Sequence, residues 1–412
     1  MQATSSLYET YRYFKEIYKL PSVELIDSRL PSKNRAYKLK NSKIILALPQ
    51  TLMNTLKIDP EAINHFDIII INEVDQLIRR RSNGSSIKQP YPKLMNFFRG
   101  KIIIGMSGTL RDEHYIEDAQ QLIIRDELST LVDYFEGAEL ISMGELMNTD
   151  IGEYIKTTSI ILTEVEDNSI VNLSLELQAH IDEVKAEIMT SIEETDPDLY
   201  RELRKFPQKI FSTYLPVEEE LQAKFNRGYI VRKYLWGLPG ENSLKHLYSY
   251  GLDPTWVRQT VRDVPSKFHK TFKLVKDLED SKKAVVMCSY IATCDLLEDR
   301  FEKMGIKSIK ITGKVPQRKR DELLQVFRKS EEKMVAIISN VGERDLDIPE
   351  AELLIVFDLV RTIKTVYQKL KRTRGGICRI LCYGGTDEVK KASSVSKTIV
   401  ERYPWSTEFL LD

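Results

Sequence analysis

The sequence predicts an α/β protein of two parallel-sheet lobes with a helical segment set between them. Three observations carry this. Short β-branched runs alternate with helix-length segments in the first and last thirds, and the middle third switches to helical spacing. The chain has 412 residues, 42% hydrophobic and 30% charged, enough for two or three domains with sizeable cores.

The first lobe is expected over residues 1–165. Its strand candidates are "KIILAL" (43–48), "FDIIII" (66–71) and "KIIIG" (101–105). A helical insertion is expected over 166–262, where Leu173, Leu177, Ile181, Val184 and Ile188 recur at helical spacing. Breaks at "TDPD" (195–198), at Phe206 before a proline and at "GLPGEN" (237–242) divide it into two or three long helices. The second lobe is expected over 263–412, with "KAVVMCS" (283–289), "KSIKI" (307–311), "MVAIIS" (334–339), "LLIVFD" (353–358) and "CRILCY" (378–383) as strands.

Composition narrows the function classes. No apolar run approaches the ~18 residues of a membrane span, and the N-terminal stretch lacks the order of a signal peptide, so the expected compartment is cytoplasmic and no membrane partner is expected. Cys288, Cys294, Cys378 and Cys382 lie in apolar segments without a paired spacing or nearby histidines, which reads as core thiols with no metal. The formal charge is zero but unevenly spread. Lys+Arg against Asp+Glu is 19 to 20 over residues 1–150, 13 to 18 over 151–262 and 29 to 23 over 263–412. Any footprint for nucleic acid therefore centres on the last third.

The last third also carries the most specific motifs. "KITGKVPQRKRDELLQVFR" (310–328) is a strand end, a Gly-Lys turn and a basic amphipathic helix; "ISNVGERDLDIPEAELLIVFD" (338–358) sets two strands about an acidic turn; "QKLKRTRGG" (368–376) is a basic helix end. Singly, each is also an ordinary βα turn, a solvated helix or a helix terminus with its favourable cations. Their order is more specific than any one of them.

That order resembles the superfamily 2 helicases, most closely the archaeal Hef and FANCM branch. "PQTL" (49–52) looks like motif Ib, Asn72, Glu73, Val74 and Asp75 stand where the DEAH-type motif II belongs, and Ser107, Gly108 and Thr109 are similar to motif III. "VMCSYIATCDLLEDRF" (286–301) resembles motif IV, and "SNVGERDLDIPE" (339–350) resembles motif V. Gln368, Arg372 and Arg374 fall at motif VI. The fold implied is two RecA-like lobes, the first truncated before motif Ia, with the insertion between them.

The same resemblance implies a lost ATP site. A motor needs a glycine-rich phosphate loop with its lysine and a hydroxyl for Mg²⁺, and no GxxxxGK[ST] occurs in this sequence. The fragments at Lys101 and Lys314 lack the spacing and the hydroxyl. Asn72 replaces the family's metal-holding Asp with a neutral amide, Glu73 retains the position of the water-activating base, Asp345 adds a carboxylate where the family has Gly, and Gly375 fills the second arginine position of motif VI. One lost transition-state contact costs about 3–4 kcal/mol. Several lost together imply a helicase-like pseudoenzyme with no cofactor and no catalytic residue.

The groove that tracks a nucleic-acid backbone does not depend on ATP. Candidate contacts are Thr51, the Arg79, Arg80 and Arg81 run, Lys314, Arg318, Lys319, Arg320, Ser339 and Asn340. The arginine run is equally a solvated loop. In the insertion, Arg227, Arg232 and Lys233 interleave with Tyr229, Tyr234 and Trp236, which suits base stacking and equally a core helix with snorkelling cations. The C-terminal end, with Trp405, Phe409, Leu410 and Leu411, is a candidate partner-docking tail or an element packed back on the second lobe.

The expectation is an inactive helicase-like accessory that binds forked, branched or single-stranded DNA in repair or recombination. The family's architecture implies an XPF-type structure-specific nuclease as the protein partner. The alternatives are a split ATPase completed by a chain carrying the phosphate loop, and a protein-only scaffold.

Overall fold

The computed structural model describes residues 4–78, 91–107, 114–118, 121–125, 127–135, 138–150, 152, 157–211, 213–339, 351–359, 376–402 and 407–412. The chain divides into two compact units, one running to Glu145 and one from Leu146 onward.

The first unit opens with α1 (Thr4–Arg12) and a parallel pair, β1 (Val23–Ile26) and β2 (Ile44–Ala47), joined across α2 (Ser32–Asn41). After α3 (Pro49–Leu56), β3 (Ile68–Asn72) and β4 (Ile102–Met106) form a second parallel pair in register from Ile68↔Ile102 to Asn72↔Met106, with the short α4 (Tyr91–Leu94) between them. A hairpin of β5 (His114–Asp118) and β6 (Gln121–Arg125) follows, then α5 (Glu127–Tyr134) and α6 (Met143–Met147). Ile26, Leu39, Met53, Leu56, Ile71 and Phe98 share one core.

The isoleucine runs of β3 and β4 read as strands buried on both faces. They are not. Alternate residues point to opposite faces, so Ile71 is buried while Ile68, Ile70, Ile102, Ile104 and Met106 are 44–62% exposed.

In the second unit, β7 (Thr158–Val165) leads into α7 (Asn168–Thr195), α8 (Pro197–Lys205), α9 (Glu219–Gly237), α10 (Gly240–Tyr250), α11 (Pro254–Thr260) and α12 (Ser266–Lys276). A βα succession completes it: β8 (Lys283–Cys288), α13 (Ile291–Lys303), β9 (Lys307–Ile311), α14 (Gln317–Lys329), β10 (Met334–Ser339), β11 (Leu353–Val356), β12 (Ile377–Tyr383), α15 (Asp387–Arg402) and β13 (Thr407–Leu411). Seven strands make one all-parallel sheet in the order β13-β7-β12-β11-β8-β10-β9.

Two expectations change here. The boundary at residue 165 moves, because β7 is hydrogen-bonded between β12 and β13 and so belongs to the second sheet. Residues 166–262 are also not a compact unit of their own. Val165 and Tyr383 of the sheet share a core with Leu173, Leu177, Ile181, Val231 and Leu235 of the helices. The predicted stripe of α7 is buried along its length, and Asp167 starts it by accepting from the Ser169 and Ile170 amides. The other carboxylate oxygen of Asp167 accepts from the Ser266 amide at 3.0 Å, which ties the start of α12 to the start of α7. At "GLPGEN" the chain requires glycine: a Cβ on Gly240 would lie 1.9 Å from the Arg262 carbonyl oxygen.

All four cysteines are buried and none is in a disulfide, and burial pushes Cys382 up to about 12. No helix among the described residues is long and apolar enough to cross a membrane.

The most demanding contact is an ion pair with both side chains at 0% exposure. Lys267 Nζ on α12 donates to Glu388 Oε1 on α15 at 2.6 Å and to the Trp236 carbonyl at the end of α9 at 3.2 Å. Glu388 Oε2 accepts from the Tyr383 amide at 2.9 Å. Burial raises the Glu388 carboxyl above its ordinary range, against the pull of Lys267 and the Tyr383 amide. The pair is therefore costly to bury and more costly to break. Lys267→Met is expected to lower the unfolding free energy of this unit by about 3–5 kcal/mol, and Lys267→Met with Glu388→Leu to recover most of it. Urea titrations of both variants check this; a double variant no more stable than the single one would sink it.

Candidate nucleic-acid interface

The stretch that resembles motif II sits on a strand end and a tight turn. β3 delivers Asn72 half-buried, and the chain then turns at Glu73 with φ +57°, a left-handed conformation that costs a non-glycine residue about 1 kcal/mol or more. A single 3₁₀ turn from Val74 to Leu77 follows, with Asp75 fully buried. Ser107, just beyond β4, donates to Asp75 Oδ1 at 2.9 Å. The side chain of Val74 lies against Gly105, where a Cβ would come within 3.0 Å of it. Motif II and the first residue of motif III are thus locked together. Gly108 and Thr109 lie outside the described residues.

The Gly-Lys fragments are ordinary turns. Lys101 Nζ donates to the carbonyls of Phe66 and Asn64 at 2.6 and 3.2 Å, which closes the turn into β4. Lys314 is an exposed residue of the turn before α14.

The nucleic-acid candidates fall into distinct environments. Thr51, in the first turn of α3, is 6% exposed, with its carbonyl accepting from the Thr55 hydroxyl at 2.9 Å. Ser339, at the end of β10, is also buried. Neither presents its side chain to a strand as placed. Lys314, Arg318 and Lys319 are exposed on one turn and helix start, with Arg318 at 3.2 Å from Glu322 one helical turn on. Arg320 is used differently: it donates to the Val315 and Gly313 carbonyls at 2.6 and 3.1 Å and holds that turn in shape. Arg79, Arg80, Arg81, Asn340, Gln368, Arg372, Arg374 and Trp405 lie outside the described residues.

On α9 the basic and aromatic residues separate. Arg227 is exposed and donates to Ser249 Oγ at 2.8 Å. Arg232 lies over the Tyr229 ring at 4.6 Å and the Trp236 ring at 5.4 Å, and pairs with Asp387 at 3.0 Å. Lys233 is half-buried. Arg232 is therefore a packed residue of the helix–sheet junction, whereas Arg227 faces solvent. The C-terminal residues pair with β7 as an edge strand, with Phe409 opposite Ile160 and Leu411 opposite Leu162. Of the two readings of this end, the structure shows the element packed back on the second lobe rather than the docking tail, with Leu410 and Leu411 keeping exposed side chains.

Sequence reasoning missed one link between motifs. Asp358, after β11, accepts from the Ser289 amide at 2.8 Å and from its hydroxyl, which joins the ends of the two strands around motif IV. An Asp closing a "LLIVFD" run was the signal available for it. Among the described residues no group of acidic, histidine or cysteine side chains is arranged to hold a metal ion.

Residues 266–376 match the helicase conserved C-terminal domain. Over 123 residues, 29% of this chain, the sequence is 29% identical to the ATP-dependent RNA helicase dbp8 of Aspergillus niger, and the stretch covers 23% of that protein. Over 122 residues it is 31% identical to the ATP-dependent RNA helicase DBP2 of Encephalitozoon cuniculi, covering 29% of this chain and 24% of that one. The matched stretch thus spans about a quarter of the length of these curated relatives. The fold is similar to that of the Pyrococcus furiosus Hef helicase domain, with a TM-score of 0.56, 96% of this chain and 87% of that chain covered, and 16% identity. The α/β class with RecA-like lobes stands on this likeness together with the parallel sheet.

Ser107→Ala removes a charge-assisted bond to a buried carboxylate. It is expected to lower the stability of the first unit by about 1–2 kcal/mol while leaving the second unit unchanged, as read by hydrogen exchange of β3 and β4 against β8 and β10. Equal loss of protection in both units would refute the local role.

Proposed function

We propose that this chain is an accessory nucleic-acid-binding protein on a helicase fold, without ATP turnover of its own, and that it acts on forked or branched DNA in repair or recombination with an XPF-type structure-specific nuclease. One observation carries this proposal. The turn that resembles motif II keeps its buried Asp75 and the Ser107 bond, yet the residue at the end of β3 is Asn72. A neutral amide does not compensate the charge of Mg²⁺. What remains is the packing that holds a lobe together, with the hard-cation ligand gone. Asp345 and Gly375 extend the departure at the motifs V and VI of the resemblance.

The nucleic-acid side of the proposal rests on Lys314, Arg318 and Lys319, three exposed cations at the start of α14 in the most basic third of the chain. DNA is favoured by the motif order that resembles the Hef and FANCM branch, and RNA is the competing strand because the curated relatives are named RNA helicases.

A split motor is the second reading, and the bare face of Ile68, Ile70, Ile102 and Ile104 favours it. Parallel sheets are ordinarily covered on both faces. A separate polypeptide bearing a phosphate loop would cover this one.

The expected outcome is salt-dependent binding of forked DNA, tighter than binding of an RNA duplex, with ATP turnover no higher than in buffer. Lys314→Gln, Arg318→Gln and Lys319→Gln should each lower the slope of log affinity against log salt by about 1, measured by fluorescence anisotropy. Slopes unchanged in all three variants would remove α14 from the interface. Recovery of ATP turnover with a co-purified phosphate-loop fragment would replace the accessory role with the split motor.

A further inference from the structure

The second unit contains a cleft of about 390 Å³ where three helices meet. Ser174 and Gln178 come from α7, Arg232 and Trp236 from α9, and Asp387 and Lys390 from the first turn of α15. Among the described residues, seven buried side-chain nitrogen or oxygen atoms have no hydrogen-bond partner, and three belong to this wall: Ser174 Oγ, Arg232 Nε and Trp236 Nε1. Trp236 is 4% exposed and Ser174 8%. Buried donors are nearly always paired, because an unpaired one keeps the whole cost of its lost hydration. All three residues line the cleft, and an acceptor brought into it is what they lack.

The charges around the cleft favour an anion. Arg232 Nη1 donates to Gln178 Oε1 at 2.6 Å and to Asp387 Oδ2 at 3.0 Å, and Lys390 Nζ stands 3.3 Å from Asp387 Oδ1. One carboxylate is thus bracketed by two cations. Glu388, next in sequence, adds no free charge because Lys267 pairs with it. Lys391 is held below the ordinary lysine range first by burial, then by Lys233 and Arg232, with Glu388 and Asp358 pulling the other way. The N-terminal end of a 16-residue helix adds its own partial positive charge.

We propose that this cleft binds a small tetrahedral dianion, inorganic phosphate or a phosphate monoester, with the Trp236 indole N–H, Ser174 hydroxyl, Arg232 guanidinium and Lys390 ammonium as donors. Donors arriving from three helices suit oxygens set in several directions better than the two coplanar oxygens of a carboxylate. Asp387 is the internal competitor, since a phosphate must share both of its cations. The site goes beyond the proposed function, because it requires neither strand binding along α14 nor a nuclease. Its phosphate has two sources, a free nucleotide or the phosphorylated end of a strand, and both present the same group.

The test follows the indole N–H resonances of the full ¹⁵N-labelled chain, with Trp236→Phe assigning its peak. Inorganic phosphate, AMP, adenosine and a short oligonucleotide with and without a 5′-phosphate are added in turn. The Trp236 resonance is expected to move saturably with phosphate and AMP and not with adenosine. Lys390→Gln should weaken the effect about tenfold, and Asp387→Asn should tighten it. A 5′-phosphorylated oligonucleotide acting at far lower concentration than its hydroxyl twin identifies a strand end, and equal oligonucleotides with an active AMP identify a free phosphate. No saturable shift with any phosphate, or Asp387→Asn weakening binding in a variant whose circular dichroism is unchanged, overturns the proposal. Loss of forked-DNA binding with the phosphate shift intact would count against the proposed function alone.

Discussion

The Lys267–Glu388 pair decides how the second unit is put together. Two opposite charges with no exposure are tolerable only when every remaining donor and acceptor is placed, and here the placement recruits two more elements. The ammonium needs the carbonyl at the end of α9, and the carboxylate needs the amide at the end of β12. The Tyr383 ring, 4.5 Å from the ammonium, completes the enclosure. α9, α12, β12 and α15 are consequently fixed around one point. The helices between β7 and β8 therefore belong to the same compact unit as the sheet.

Much of this was legible from the residues, for reasons tied to period and burial. Leu173, Leu177, Ile181, Val184 and Ile188 announce α7 because a helix buried along one stripe must repeat them. The strands β8, β10 and β11 announce themselves because both faces of a central parallel strand are covered. β7 was not among the expected strands, and its sheet could not be read from its residues. Strand order is a long-range property, and the pairing of β7 with β12 joins residues more than two hundred positions apart. Lys267 gave no signal at all, since "SKFHKTF" reads as a surface helix until a carboxylate from α15 arrives. Of the candidate cations, Lys314, Arg318 and Lys319 are exposed while Arg320 folds back onto its own turn. Arg232 could not be placed from the sequence, because snorkelling and base stacking predict the same sequence pattern, and only the position of Asp387 separates them.

The turn after β3 is held in place by the packing of its own residues. Glu73 sits in a left-handed conformation that an ordinary turn avoids, and the neighbouring residues support it: Val74 packs into the space over Gly105, and Asp75 is buried with a bond from Ser107. These contacts depend on Val74, Asp75, Gly105 and Ser107. Close packing constrains the side chains that make such contacts and leaves others open to change.

The same constraint bears on the helicase C-terminal match, which is confined to residues 266–376. That span contains β8 through β11 and the helices that cover them, and β8, β10 and β11 are buried along nearly their whole length whereas the edge strand β9 is not. A strand enclosed on both faces accepts only apolar side chains of suitable volume, so its sequence remains recognisable over long divergence. β3 and β4 are enclosed on one face only, and the open face makes no such demand. Any β-compatible residue satisfies it. Four isoleucines and a methionine on that face are then more than the strand pair itself requires, and the surplus apolar surface is the strongest physical reason to look for a segment that covers it.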